Sequence, residues 1–374
     1  MWLGAGRRWT WWWLQSSSLR PASSNSPPDI AEVLAPSDQR RTGKPGPRQT
    51  SLLLFPGQGS QFVGMGQGLE KYHGVRQMFA AARKLLGYDL RSLCVNGPQE
   101  ELNKTVHCQP AVFVTSLAAV ERLNHENPEA VEKCVGAAGF SVGEFAALVF
   151  AGALDFAEAL YAVKIRAEAM QEASNAIPSG MLSVVGHMNA RYKDACREAQ
   201  EHCRSLGLKE PVCEVANYLF PNGRVIAGHL QALKFLQNNS RRFHFLRTKL
   251  LPVSGAFHTQ LMASANPALH EVLKGITVEK PLISVYSNVD AKKYKQTKHI
   301  QQMLVKQLVS PVKWEQTMHA MYEREQGTDF PDTFEVGPGN QLGAILKKCN
   351  LKAWRFYKHI DVQIKDENEE EYNC

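Results

Sequence analysis

The chain has 374 residues, 44% of them hydrophobic and 21% charged, which is the balance of a globular protein with a large core and excludes a charged low-complexity polymer. No run approaches the roughly 20 consecutive apolar residues that cross a bilayer as a helix, so no membrane span is expected. The formal charge of +7 raises the question of nucleic acid, but much of the excess lies in residues 1–50, where seven Lys or Arg face three acids, and no nucleic-acid recognition motif is present. The remaining excess fits either a dock for an acidic partner or an ordinary solvated face.

The first 28 residues carry Arg7, Arg8, Arg20 and several serines but no acid, the composition of a transit peptide, so mitochondrial import is expected. The alternatives are a disordered tail and a secretory signal built on Trp9 to Leu14. That apolar stretch is short, and eight scattered cysteines without a Cys-x-x-Cys pair suit a reducing compartment rather than secretion or a zinc site. Residues 36–50 read as a linker.

From Ser51 the pattern turns globular. Leu52 to Phe55 predicts a buried strand entering a glycine-rich loop, with helices near 75–86 and 110–125. Val135 to Phe140 predicts a second strand running into Ser141, then a helix through Phe150 and a long helix over 155–174. Residues 181–250 read strand, helix, strand, strand, helix, strand, the order of a ferredoxin-like unit. Beyond it come a helix at 259–274, a strand at Leu282 to Tyr286, helices at 298–309 and 312–324, a strand at Thr333 to Val336, and a helix from about 341. The expected fold class is α/β, with an α/β-hydrolase-like large domain and an inserted ferredoxin-like small subdomain. The expected organisation is 1–50 transit peptide and linker, 51–180 and 251–350 large domain, 181–250 small subdomain, and 351–374 a C-terminal tail with an acidic end.

Gly139-Phe140-Ser141-Val142-Gly143 is a G-x-S-x-G pattern between a predicted strand and helix, where the glycines allow the sharp turn that exposes a nucleophilic serine. The competing reading is a small-residue turn without chemistry. The Gly57 loop is not a dinucleotide site, because the third glycine of G-x-G-x-x-G falls on Phe62. It can instead bring the Gln58 N–H against an acyl oxygen. Among 12 histidines the pattern does not select a base, although His258 lies in a small-residue turn before a helix. No Asp proposes itself as a third triad member.

Six segments together, Gly57-Gln58-Gly59-Ser60-Gln61, Gly139 to Glu144, Lys164-Ile165-Arg166, Ala256-Phe257-His258, Gln307 to Val312 and Glu335 to Gly339, resemble in order the malonyl-CoA:acyl carrier protein transacylases, over about residues 51–350. With the N-terminal segment, the resemblance is to the mitochondrial branch. It implies Ser141 as nucleophile, His258 as general base and acid, Arg166 as clamp on the malonyl carboxylate, Gln307 orienting the histidine through its carbonyl, and the Gln58 and Val142 N–H groups as oxyanion hole. Phe257 would crowd branched acyl groups. Malonyl-CoA and acyl carrier protein are the implied partners, and no metal or redox cofactor is implied. Phe140 departs from the bacterial motif, which usually has His before the serine. A serine thioesterase or hydrolase of the same elbow type is the alternative.

Overall fold

A computed structural model describes residues 46–323 and 329–364. The expected targeting segment and acidic end therefore lie outside the described residues.

Strand β1 (Ser51–Phe55) is buried at every position, as its unbroken apolar sequence requires in a parallel sheet covered on both faces. Helix α1 (His73–Leu86) and the long α2 (Thr105–Glu126) lead to β2 (Cys134–Gly139), α3 (Gly143–Phe150) and α4 (Phe156–Ala176). Asp155 starts α4 by accepting the Ala157 and Glu158 N–H groups at 2.8 and 3.1 Å, satisfying two of the donors a helix leaves free at its start. The chain then builds β3 (Ser179–Gly186), α5 (Tyr192–Ser205), β4 (Cys213–Phe220), β5 (Gly223–His229), α6 (Leu230–Asn238) and β6 (Phe245–Leu250). It returns through α7 (Asn266–Gly275), β7 (Ser284–Val285), α8 (Thr297–Lys306), β8 (Val312–Lys313), α9 (Trp314–Tyr322), β9 (Asp332–Val336), α10 (Gln341–Cys349) and β10 (Tyr357–Ile360).

Two five-stranded sheets result. The first, in the order β10-β9-β1-β2-β7, is wholly parallel. The second, β6-β3-β5-β4-β8, is antiparallel except for β4 against β8. Its first four strands with α5 and α6 have the ferredoxin-like order, and β8, from the later part of the chain, extends that sheet by pairing Asn217 with Val312. The small subdomain is thus tied by backbone hydrogen bonds to a later stretch of the chain.

Several expected elements differ. The 259–274 helix begins as a 3-10 turn (Gln260–Ala265), and the 282–286 strand shrinks to Ser284–Val285. The helix expected over 312–324 starts two residues later because Val312–Lys313 is drawn into the second sheet. Residues 351–360 are not tail: they form a short helix (Leu351–Trp354) and the edge strand β10, parallel to β9. Glu335 holds that edge, taking a 2.6 Å hydrogen bond from Tyr357 Oη and also accepting the Leu342 and Gly343 N–H groups that open α10.

Candidate active site

Ser141 sits between β2 and α3 with φ of 54°, in the left-handed region that a non-glycine residue enters only when its surroundings impose it. The flanking glycines are what allow it. A Cβ on Gly139 would lie 1.9 Å from the Gly143 carbonyl group, and one on Gly143 would lie 2.4 Å from the Phe55 carbonyl oxygen. Asn288, three residues beyond β7, braces the turn from both sides: its Oδ1 accepts the Ser141 N–H and its Nδ2 donates to the Gly139 carbonyl, each at 2.7 Å.

His258 also has positive φ, 63°, and its Nε2 lies 2.9 Å from Ser141 Oγ. Its Nδ1 lies 2.8 Å from the Gln307 carbonyl oxygen, an atom that only accepts. The ring proton is therefore on Nδ1, and bare Nε2 accepts the serine hydroxyl. Burial, followed by the nearby Arg166 charge, holds His258 down to about 4, so the imidazole is neutral at pH 7. A backbone carbonyl takes the place that an acid holds in the familiar triad.

Arg166 lies on the buried stripe of α4 with Val163, Ala167 and Met170, and its side chain is fully enclosed. Its Nη2 donates to Ser141 Oγ at 3.0 Å and to Gln307 Oε1 at 2.8 Å, and its Nη1 to Gln109 Oε1 at 2.5 Å. Its Nε is buried without a hydrogen-bond partner. Burial pulls the guanidinium down to about 9, still charged at pH 7. An enclosed cation with an idle donor beside a serine is a receptor for an anionic group.

The Gln58 loop lies against the elbow, since a Cβ on Gly57 would meet the Phe140 carbonyl oxygen at 2.4 Å. The Gln58 side chain points to Thr105 and Gln109 at 3.3 and 3.5 Å. Val142 precedes the first turn of α3, where backbone N–H groups have no helical acceptor. Phe257 is buried in the main apolar core one residue from the base. Phe140 packs edge-on against Trp314, with ring centroids 5.3 Å apart, so the position before the nucleophile is filled by an aromatic contact rather than a polar one.

The acyl transferase domain model matches residues 52–348, the stretch that contains every one of these groups. The chain is 66% identical over 316 residues to the mitochondrial malonyl-CoA-acyl carrier protein transacylase of Homo sapiens, covering 84% of this chain and 81% of that protein. The chain belongs to the malonyl-CoA-acyl carrier protein transacylase family. Among solved structures, an acyl carrier protein S-malonyltransferase of Vibrio cholerae superposes with a TM-score of 0.74 at 31% identity, over 84% of this chain and 97% of that one. A malonyl-transacylase solved in complex with a type II PKS acyl-carrier protein gives 0.72 at 33% identity, over 83% and 94%.

The transacylase site contains residues that the sequence reading did not assign. Glu144 stood at the end of the elbow segment without a role, although an acid directly before the buried apolar run Phe145 to Phe150 signals a paired buried charge. Gln109 is likewise a buried amide among apolar neighbours of its helix, next to Pro110. Asn288 and Tyr294 carry no comparable signal, because they lie in the irregular segment after β7, where no periodic pattern fixes which way a side chain faces.

Proposed function

We infer that this transacylase moves malonyl from coenzyme A to the phosphopantetheine thiol of acyl carrier protein in the mitochondrion, through an ester on Ser141. The observation that carries the reading is the convergence on one serine oxygen of a neutral imidazole Nε2 at 2.9 Å and an enclosed guanidinium at 3.0 Å. In the first half-reaction Ser141 Oγ attacks the thioester carbonyl while its proton passes to His258 Nε2. The Gln58 and Val142 N–H groups stabilise the tetrahedral oxyanion. Collapse breaks the C–S bond, and the imidazolium gives its proton to the departing coenzyme A thiolate. The second half-reaction runs this in reverse with the phosphopantetheine thiol as nucleophile.

Arg166 selects the acyl group. Acylation removes the serine hydroxyl that holds one Nη2–H, and that proton with the idle Nε–H forms a two-pronged edge for a carboxylate. Hydrolysis with water as acceptor is disfavoured, because a site sealed around an anion-binding cation suits an acyl group that waits for a second carrier. The residue roles, the absence of a metal or redox cofactor from the chemistry, and the reading of residues 1–50 as transit peptide and linker are part of this proposal. The test is radiolabelled malonyl-CoA offered with acyl carrier protein with and without its phosphopantetheine. Label should reach only the phosphopantetheine-bearing form, and label released as free malonate at a comparable rate would favour the hydrolase.

A further inference from the structure

The site itself contains a carboxylate. Glu144, in the first turn of α3, is 1% exposed and accepts from Tyr294 Oη at 2.5 Å, from Gln307 Nε2, and from the Asn288 N–H at 3.3 Å. The same Gln307 amide turns its Oε1 to Arg166 at 2.8 Å. One side-chain amide therefore joins an enclosed anion to an enclosed cation, and its sense is dictated: the guanidinium only donates, so oxygen must face it and the amide N–H₂ must face Glu144. With Glu144 ionised, one carboxylate balances one guanidinium. A malonyl carboxylate on Arg166 makes it two anions around one cation, an arrangement in which one of two like charges sharing a buried site is expected to be neutralised.

We propose that Glu144 is a positioning residue that sets the charge of the acyl site, more ionised while Ser141 is free or carries a neutral acyl group and taking up a proton from solvent when an acyl carboxylate settles on Arg166. The inference rests on the malonyl-ester reading above. The surrounding bonds tolerate the proton. Placed on Oε1, it is donated to Tyr294 Oη, whose own hydrogen turns to Ser287, with which it also shares a hydrogen bond. Oε2 still accepts from Gln307 Nε2, so Gln307 keeps its sense and Arg166 its place. Among the described residues, the charged or titratable groups facing this cluster are Arg166 from α4, His258 from the turn before Gln260, Tyr294 with the neighbouring Asp290 from the segment after β7, and His299 of α8, whose ring packs edge-on against Tyr294 at 5.9 Å. Burial raises Glu144 to about 7, against about 9 for Arg166 and about 4 for His258, while burial and Glu144 itself push Tyr294 well up.

The acyl transfer itself is proton-neutral near pH 7, since the serine hydroxyl proton leaves on the coenzyme A thiol. Any uptake therefore reports the pocket. The experiment mixes the full chain with malonyl-CoA or acetyl-CoA in weakly buffered indicator dye and counts ester by intact mass in parallel. The expected result at pH 7.5 is uptake of about half a proton per malonyl ester and none per acetyl ester. Wild-type malonyl loading relative to acetyl should fall as pH rises above about 7. In Glu144→Gln, whose amide oxygen can face Gln307 and whose N–H₂ can face Tyr294, the ester should form without uptake and the ratio should not vary with pH. Malonyl ester without uptake in wild type, or the same uptake in Glu144→Gln, overturns the role of Glu144 and leaves the malonyl-ester reading standing. No ester in wild type overturns both.

Discussion

Under the proposed mechanism single residues divide the chemistry between a base and a selector, and each division is measurable. His258 is held to about 4, chiefly by burial and then by Arg166, and only its neutral form can take the serine proton. For acetyl-CoA, which brings no carboxylate, kcat/KM should therefore stay level as pH falls from about 8 to 5 and drop through about 4. A drop centred near the ordinary histidine value would show a base in a solvated setting. Replacing Arg166 with Ala removes the cation that, among the described residues, is enclosed beside Ser141, and losing one partner of such a pair costs about 2–5 kcal/mol, roughly 30- to 5,000-fold in kcat/KM for malonyl-CoA. Acetyl-CoA should be spared. Equal losses on both substrates would make Arg166 a support of the fold. Ser141 and Arg166 were legible in the sequence because a nucleophile elbow has a local pattern and the arginine belongs to a recognisable segment. Asn288 and Glu144 act across 147 and 163 residues of chain through bonds to Ser141 and Gln307, a distance at which spacing carries no signal.

The turn between β2 and α3 is the element on which the site depends. Its path is set by backbone packed against backbone, with the Phe55 and Pro56 carbonyl oxygens 2.4 and 2.5 Å from where a Gly143 Cβ would stand. Those atoms belong to the end of β1 and the residue after it and cannot yield as a flexible side chain would. Gly143→Ala should cost about 1–3 kcal/mol of stability and lower the rate of Ser141 acylation, read by thermal unfolding and by ester formation. Gly275→Ala, at the end of α7 with open space around it, should leave acylation unchanged and hold or slightly raise stability. An unchanged Gly143→Ala would show that the elbow can relax. The elements with a long apolar or periodic pattern, such as β1, α4 and the strands and helices of the small subdomain, were legible. Those whose existence depends on partners were not. β8 is two residues recruited by β4, and β10, with Lys358 and His359 in its four residues, reads as polar tail until Glu335 and β9 are there to receive it.

For the whole molecule, the fold brings Ser141 and Arg166, His258, and Gln307, from before the small subdomain and from two later stretches of chain, to one oxygen atom and its immediate partners. The acid-free beginning of the chain gives the molecule its expected destination, so a fluorescent protein fused behind residues 1–50 should enter mitochondria, and cytosolic or secreted fluorescence would count against import. The central claim is that the acyl group rests on Ser141 between its two carriers. Its most direct measurement is the intact mass of the protein after brief mixing with malonyl-CoA. Wild type should gain the mass of one malonyl group and lose it on addition of phosphopantetheine-bearing acyl carrier protein, and Ser141→Ala should gain none. An adduct that persists in Ser141→Ala, or a wild-type protein that transfers malonyl without ever carrying it, would contradict the account.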